Sequence, residues 1–170
     1  MVELRLSTQG GTGTSLWADD VGLLVAPDGV GNPAPCLAGG NVLYLDGTTG
    51  DYVHPGTETI TAGPWSAFFY PSTGVVQVRS EASPYWSAQI ARRPLESGIG
   101  EGAARVSNSS HGAGIDVNGN GRGCNQTSGR IQVFEATVDS GGTLRSVTAT
   151  FEQSCETWMP LLRGCVHFQQ

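Results

Sequence analysis

The sequence predicts an all-β fold, built as an antiparallel β-sandwich or a partly closed barrel. Apolar residues alternate with polar ones in many short runs, for example at Trp86, Ala88 and Ile90, and this is the period of a strand with one buried face. Clusters of Gly, Pro, Asp, Asn and Ser separate these runs at short intervals. No stretch keeps the i, i+3, i+4, i+7 spacing of an amphipathic helix over three turns. Short antiparallel strands in a sandwich or barrel satisfy all three observations.

Individual strands are predicted in chain order from runs rich in β-branched, aromatic and other apolar residues. Five such runs come first, at 2–6, 21–25, 41–45, 57–61 and 66–70. Alternating apolar residues then predict strands around 76–78, 86–90, 147–151 and 162–168. The run at 130–138 is expected to form a hairpin with the run that begins at residue 143, because the intervening D-S-G-G suits a hairpin turn.

The chain is expected to form a single β domain over residues 1–170. A chain of this length can bury a sizeable core. The Gly- and Pro-rich residues 26–35 are the best candidate for an internal boundary. They separate an N-terminal β segment, residues 1–39, from a main part, residues 40–168.

Composition argues against two classes of partner. Nine arginines and no lysine leave a net charge of −6, and no run forms the basic patch that nucleic-acid binding requires. No stretch approaches the roughly 20 apolar residues of a membrane helix. We therefore expect neither nucleic-acid binding nor membrane insertion.

Four cysteines, an even number, indicate an oxidising compartment. Free thiols or a zinc site are the alternatives, although no C-x-x-C spacing occurs. If Val138 pairs with Thr143 in the predicted hairpin, Cys124 and Cys155 face each other within a residue or two, close enough for a disulfide. The remaining pair, Cys36 and Cys165, would then tie the N-terminal segment to the last strand.

Several blocks of the main part resemble a known bacterial pattern. They are G-R-G-C-N-Q-T-S-G-R-I-Q-V-F-E-A, F-E-Q-S-C-E, L-L-R-G-C-V-H-F and, upstream, L-Y-L-D-G-T-T-G-D-Y-V-H-P-G. Together they resemble the C-terminal domain of uncharacterised secreted or surface-directed bacterial proteins, over about residues 40–168. The resemblance implies a secreted or cell-surface location and a Cys124–Cys155 bond, and no established activity. Ser154 stands where the pattern has histidine, and Cys165 stands where it has a different residue, so the Cys36–Cys165 bond would be particular to this chain.

The stretch D-V-N-G-N-G-R-G is the strongest candidate for a metal site. Asp116, Asn118 and Asn120 occupy positions 1, 3 and 5 of a calcium loop, and Gly121 occupies position 6. The second half of the loop departs from the pattern, because position 12 is Thr127 rather than a bidentate glutamate. Glu156, next to Cys155, is a candidate for the missing carboxylate. The alternative is an Asx/Gly turn that leads into the hairpin without a metal. Weak Ca²⁺ binding is therefore the one cofactor that the sequence suggests.

Three tryptophans are candidates for ligand binding. Trp65 and Trp158 lie in turn-like contexts, and Trp17 precedes the acidic pair Asp19–Asp20. Exposed aromatic rings at the ends of β-sandwiches can stack on sugars, and the alternative is that they cap the ends of the sheets. Trp86, in an alternating run, is expected in the core.

The sequence offers no motif for catalysis. Neither a G-x-S-x-G elbow nor H-E-x-x-H occurs. We therefore expect a secreted or surface-located, non-catalytic binding module from a bacterium. A glycan or another cell-surface component is the first expected partner. The alternative is a self-associating subunit of a surface layer or fibre.

Overall fold

The fold is seen in a computed structural model that describes residues 30–92, 95, 98–104, 113–156 and 160–170. One 3-10 helix, Ala34–Leu37, precedes ten strands. The strands are β1 (Val42–Gly47), β2 (Gly56–Ile60), β3 (Trp65–Tyr70), β4 (Val75–Ser80), β5 (Trp86–Ala91), β6 (Gly98–Ala104), β7 (Gly114–Gly119), β8 (Thr127–Val138), β9 (Leu144–Cys155) and β10 (Leu161–Gln169). Among these residues, no helix has the length and apolar character needed to cross a membrane.

The strands form two antiparallel sheets that pack as a sandwich. The hydrogen-bonded order is continuous over ten strands, β2-β1-β10-β9-β8-β6-β7-β5-β4-β3. The six strands up to β6 make up the first sheet, and the four from β7 onward make up the second. A parallel bridge between Ala104 in β6 and Gly114 in β7 joins the two sheets at one edge. The all-β prediction is thereby confirmed, in its sandwich rather than its barrel form.

One hydrophobic core lies between the sheets. Cross-strand register aligns Val76, Ile90 and Ile115 on the inner face of the second sheet. Val166 and Ala149 are aligned in the same way on the first sheet, and all five residues belong to one buried cluster. Successive side chains of a strand point to opposite faces, so the apolar residues at alternate positions of each strand share the inner face.

Trp86 is the largest side chain buried in this core, as predicted. Its ring lies over Gly119 on the neighbouring strand, where an added Cβ would come within 2.1 Å of the indole. His54 packs edge-on against the same ring, with the ring centroids 5.5 Å apart. A glycine is therefore required opposite Trp86, because the indole occupies the space that a side chain at residue 119 would need.

The outer face of the first sheet carries a row of alternating charge. Arg163 donates to Glu152 at 3.1 Å, and Arg130 approaches the same carboxylate at 3.8 Å. Asp46, opposite Arg163 in the register, accepts a hydrogen bond from Thr57. Exposed pairs of this kind contribute little each, but they align the strands.

The segment before β1 crosses this same outer face. Val30 is fully buried, and its amide donates to Gln132 of β8. Cys36, in the 3-10 helix, forms a disulfide with Cys165 of β10, with a Cα–Cα distance of 6.0 Å. The bond predicted by pairing the leftover cysteines is confirmed. The rest of the predicted N-terminal β segment, residues 1–29, lies outside the described residues.

All the strands predicted from residue 41 onward are present, and the structure has two further strands, β6 and β7, that were not predicted. β6 was not predicted because its sequence, G-I-G-E-G-A-A, alternates glycine with other residues and has few β-formers. β7 was interpreted as a loop because of its polar residues. In fact Ile115 and Val117 alternate with those residues and are fully buried, so the period of a strand was present in the sequence.

The β8–β9 hairpin forms with a register that differs by one to two residues from the predicted one. The Asp139 amide donates to the Thr143 carbonyl, so these two residues, rather than Val138 and Thr143, close the turn. The register shifts again between Val133 and Glu135, and near Val138. These bulges each add an unpaired residue, and the shift stays within the residue or two that the prediction allowed.

Candidate functional site

The stretch from Gly114 to Asn125 forms β7 and the tight turn that follows it. Asn120 and Gly121 both have positive φ, at 48° and 74°. Gly119 and Arg122 exchange two backbone hydrogen bonds across them, at 2.9 and 2.8 Å. This is the geometry of a two-residue type I′ turn, for which Asn-Gly is the favoured sequence. Asp116 and Asn118 therefore lie in a strand rather than in a loop, and Asn120 lies in the turn.

The outer edge of β7 is completed by side chains rather than by a full neighbouring strand. The side-chain amide of Gln153, in β9, accepts from Val117 N at 2.7 Å and donates to Val117 O at 3.0 Å. Thr127 donates its hydroxyl to Ile115 O at 2.9 Å. Because buried backbone groups must find partners, these contacts fix β7 against the first sheet.

A disulfide anchors the chain just after the turn. Cys124 bonds to Cys155 at the end of β9, with a Cα–Cα distance of 5.1 Å, and the Nε2 atom of Gln153 lies 3.5 Å from the Cys124 sulfur. The predicted pairing is confirmed. Cys124 reaches its partner from the loop before β8, because Thr127 is the residue that faces Cys155 in the ladder.

A polar cavity of about 480 Å³ lies at this end of the second sheet. We call it the Asn118 cleft, and its side chains come from Tyr85, Gln89, Asp116, Asn118, Arg122 and Asn125. Register places Gln89 opposite Asp116 and Ser87 opposite Asn118. The cleft therefore opens on the outer face of the sheet, while the intervening Val117 points into the core.

The cleft combines opposite charges with neutral donors and acceptors. Asp116 is only 7% exposed, and its Oδ1 atom accepts a hydrogen bond from Asn118 Nδ2 at 3.3 Å. Arg122 extends its guanidinium to the Tyr52 carbonyl at 3.4 Å. Tyr85 is 39% exposed at the rim. Such a mixture of amide, carboxylate, guanidinium and phenol groups can match a ligand that has many hydroxyls.

Glu156 lies next to the cleft and lines a different cavity. Its Oε1 atom accepts from the amides of Asn125 and Gln126, at 2.9 and 3.3 Å. The adjoining cavity, of about 370 Å³, has side chains from Asp51, Tyr52, Asn125, Glu156 and Pro160. Asn125 lines both cavities. Glu156 lines only the adjoining one, and its carboxylate is turned towards the loop before β8.

Asp51, in the adjoining cavity, is a buried carboxyl group. Burial raises its pKa above the usual 3.8, and hydrogen bonds from the backbone amides of His54 and Val53 partly offset that effect. These amides lie 2.8 and 3.0 Å from Asp51 Oδ1. Asp51 therefore has a clear structural role, which is to hold the turn between β1 and β2.

The structure places one of the three candidate tryptophans. Trp65, at the start of β3, is half-buried, packs against the core cluster and donates its indole N–H to the Thr61 carbonyl at 3.4 Å. It does not line either cavity at the β7 turn. Trp17 and Trp158 lie outside the described residues, so their part in ligand binding stays a prediction.

The metal prediction also stays open. Among the described residues, no group of three or more His, Cys, Asp or Glu side chains is arranged to hold a metal ion. Asp116 and Asn118 offer one carboxylate and one amide oxygen on the same face of β7. That is a small ligand set for Ca²⁺, which prefers six to eight oxygens.

Sequence reasoning missed Tyr85, Gln89, Arg122 and Tyr52 as site residues. Gln89 lies in β5 and Tyr85 directly precedes it, and that strand was expected only to supply the core. Arg122 was treated as part of a turn. The signal for Arg122 was its position directly after Asn-Gly, because a type I′ turn presents the following residue next to the strand that precedes it.

The motifs behind the bacterial resemblance now have structural roles. The G-R-G-C-N block supplies Arg122, Cys124 and Asn125 to the cleft region, and F-E-Q-S-C-E supplies Gln153 and Cys155. No protein-family model matches the chain, and comparison with curated proteins and with solved structures gives no match.

Proposed function

We propose that the protein is a non-catalytic extracellular binding module and that its ligand is a carbohydrate held in the Asn118 cleft. The observation that carries the proposal is the convergence of Gln89, Asp116, Asn118 and Asn125 in one open cavity next to an exposed tyrosine. Sugars present pairs of hydroxyls that need both donors and acceptors, which amides and carboxylates supply. The ring of Tyr85 offers an apolar face for the C–H side of a sugar.

The residues that line the Asn118 cleft are held on a rigid part of the fold, which is consistent with a binding site. Asp116 and Asn118 project from a strand whose other edge is held by Gln153 and Thr127. The Cys124–Cys155 bond fixes the chain three residues beyond the turn glycine. A site that is already ordered loses little conformational entropy on binding, which favours affinity.

The two disulfides support the extracellular part of the proposal. Stable disulfides are typical of secreted and cell-surface proteins and rare in reducing compartments. Both bonds of this chain are formed, and the described part contains no free cysteine. A secreted or cell-surface bacterial protein would have this chemistry.

Calcium is a proposed accessory to the site rather than its centre. The Asp116 carboxylate and the Asn118 amide lie side by side, and sugar hydroxyls could complete the oxygen shell of a hard cation. Asn120, in the turn, and Glu156, in the adjoining cavity, are the other proposed ligands. With few carboxylates, we expect the dissociation constant of an extracellular module, about 10⁻⁴–10⁻³ M.

The deciding experiment is a glycan array with and without Ca²⁺, followed by titration of the best glycan into variants. Tyr85→Ala should weaken binding about fivefold, because stacking against an aromatic ring contributes on the order of 1 kcal/mol. Tyr70→Ala is the matched control, since Tyr70 is 44% exposed and does not line the cleft. Equal loss in both variants, or binding to no glycan, would reject the Asn118 cleft as a carbohydrate site.

Thermal unfolding tests the calcium part separately. At about ten times its dissociation constant, Ca²⁺ should stabilise the fold by about 1.4 kcal/mol, which corresponds to roughly 3–5 °C in melting temperature. The shift should be absent in Asp116→Ala, and Mg²⁺ should not reproduce it. A melting curve that does not move in about 10 mM Ca²⁺ would show that the stretch is a strand and turn only.

Self-assembly is the second candidate function, and one observation favours it. β3 is the last strand of the second sheet, and its outward-facing Phe68 and Tyr70 are 43% and 44% exposed. Exposed apolar residues on an edge strand favour pairing with another chain. Sedimentation of the wild type at increasing concentration should then show oligomers that Phe68→Ser abolishes, whereas a monomer at all concentrations would exclude assembly through this edge.

A further inference from the structure

Arg122 is the positively charged side chain that lines the Asn118 cleft, and no carboxylate of the described residues pairs with it. Within the described ranges, its guanidinium makes one hydrogen bond, a 3.4 Å contact to the Tyr52 carbonyl, and no ion pair. Three other described arginines are paired with carboxylates, Arg130 and Arg163 with Glu152 and Arg145 with Asp139, while Arg79 lies over the ring of Phe68. Arg122 therefore keeps most of its donors available at the mouth of a cavity.

The backbone of Arg122 is held firmly although its side chain is exposed. Its amide and carbonyl both bond to Gly119 across the turn, and Cys124, two residues later, is in a disulfide. The guanidinium is thus presented from a fixed point beside Asn118 and Asn125. A fixed arginine of this kind recognises planar or tetrahedral anions through two parallel N–H bonds.

The charges around Arg122 distinguish an anionic ligand from a neutral one. The whole chain carries a net charge of −6, and the Asp116 carboxylate lines the same cleft. A ligand with an anionic group would be repelled by most of the surface and attracted at Arg122, so its orientation in the cleft would be fixed. A neutral ligand would gain only ordinary hydrogen bonds from the guanidinium.

We infer that the glycan bound in the Asn118 cleft is acidic, with a carboxylate or sulfate group paired to Arg122. This inference rests on the proposed carbohydrate-binding function of the cleft. The opposite end of the same sugar would face Asp116 and Asn118 through its hydroxyls. If Ca²⁺ also binds at Asp116, the cation would offset the repulsion between that carboxylate and the anionic ligand.

The test compares acidic glycans with their neutral forms. The probes are a uronic-acid oligosaccharide and its methyl ester, and a sulfated oligosaccharide and its desulfated form, each titrated by calorimetry at low and high salt. The acidic member of one pair should bind about 10- to 100-fold more tightly than its neutral form, which is the range for a charge-assisted pair. The pair that shows the difference identifies carboxylate or sulfate as the recognised group.

Variants at Arg122 assign the effect to this residue. Arg122→Gln should remove the preference for the acidic form, and Arg122→Lys should restore part of it, because lysine keeps the charge without the planar fork. Arg163→Gln, on the outer face of the first sheet, is the control and should keep the preference. Equal affinity of the wild type for acidic and neutral forms would overturn the inference and leave the proposed function standing. Binding of neither form would contradict both.

Discussion

Gln153 is a single residue on which the position of the candidate site depends. It is 1% exposed, which is rare for glutamine, and both ends of its amide bond to Val117 of β7. The burial is tolerable because every polar atom of that amide has a partner. Gln153 thus replaces a strand neighbour for the edge that carries Asp116 and Asn118.

Substituting Gln153→Leu should destabilise the fold by about 2–6 kcal/mol. Leucine fills a similar volume, but it leaves the N–H and the C=O of Val117 buried without partners, at about 1–3 kcal/mol each. Urea denaturation gives the free energy of unfolding. Gln169→Leu, at an exposed position of β10, is the control and should change stability by no more than about 0.5 kcal/mol. Equal effects of the two substitutions would contradict the role of the buried amide.

Individual residues also show what the sequence could and could not predict. The burial of Trp86 followed from alternation alone, whereas the partner of Gln153 did not, because nothing local in F-E-Q-S-C-E indicates a contact with residue 117. Asp116 and Asn118 were predicted to lie in a loop or turn, whereas the structure places them in β7. The local sequence pattern indicates whether a residue faces the core or the solvent. Its neighbours in space depend on pairing between distant strands, which the local pattern does not show.

At the scale of elements, the β8–β9 hairpin shows how a turn determines the register. The Oδ1 atom of Asp139 accepts from the amides of Gly141 and Thr143, both at 2.9 Å. Its Oδ2 atom accepts from the Arg145 guanidinium. These contacts close the turn at Asp139 rather than at Val138. The D-S-G-G sequence predicted the turn, but the choice between two neighbouring closures depends on this side chain.

The same contacts make the hairpin sensitive to acid. Hydrogen bonds from the Thr143 amide and the Arg145 side chain lower the pKa of Asp139 below 3.8. A carboxyl group whose pKa is lower in the folded state stabilises the fold above its unfolded-state pKa, and this contribution is lost as pH falls through the folded-state value.

Asp139→Asn should therefore be less stable than the wild type at pH 7, and the difference should shrink below about pH 4. Asparagine keeps an acceptor for the two amides and loses the ion pair with Arg145, so the folded state remains intact. Urea denaturation of both proteins between pH 7 and pH 3 measures the difference. A gap in stability that is the same at both ends of this range would show that the charge of Asp139 contributes nothing.

At the scale of the whole molecule, the two disulfides have different tasks. Cys124–Cys155 spans 31 residues of sequence and supports the turn beside the cleft. Cys36–Cys165 spans 129 residues and holds the segment before β1 on the outer face of the first sheet. Counting the cysteines and closing one hairpin predicted both bonds. The sequence could not predict the face on which the first segment lies, because that depends on packing of Val30 and Gln132 across about a hundred residues of chain.

Removing each disulfide separately should show that one bond mainly affects the stability of the fold and the other also affects glycan affinity. By the chain-entropy model, loss of Cys36–Cys165 costs about 5 kcal/mol and loss of Cys124–Cys155 costs about 4 kcal/mol, so Cys36→Ser/Cys165→Ser should have the lower melting temperature. Glycan affinity should nevertheless survive in that variant, because Cys36 and Cys165 line no part of the Asn118 cleft. In Cys124→Ser/Cys155→Ser the anchor after Arg122 is lost, and affinity should fall because the cleft residues must be ordered on binding.

Calorimetric titration below both melting temperatures separates the two effects. If glycan affinity instead fell in proportion to melting temperature in both variants, binding would depend on global stability. A local role of Cys124 in supporting the cleft would then be excluded.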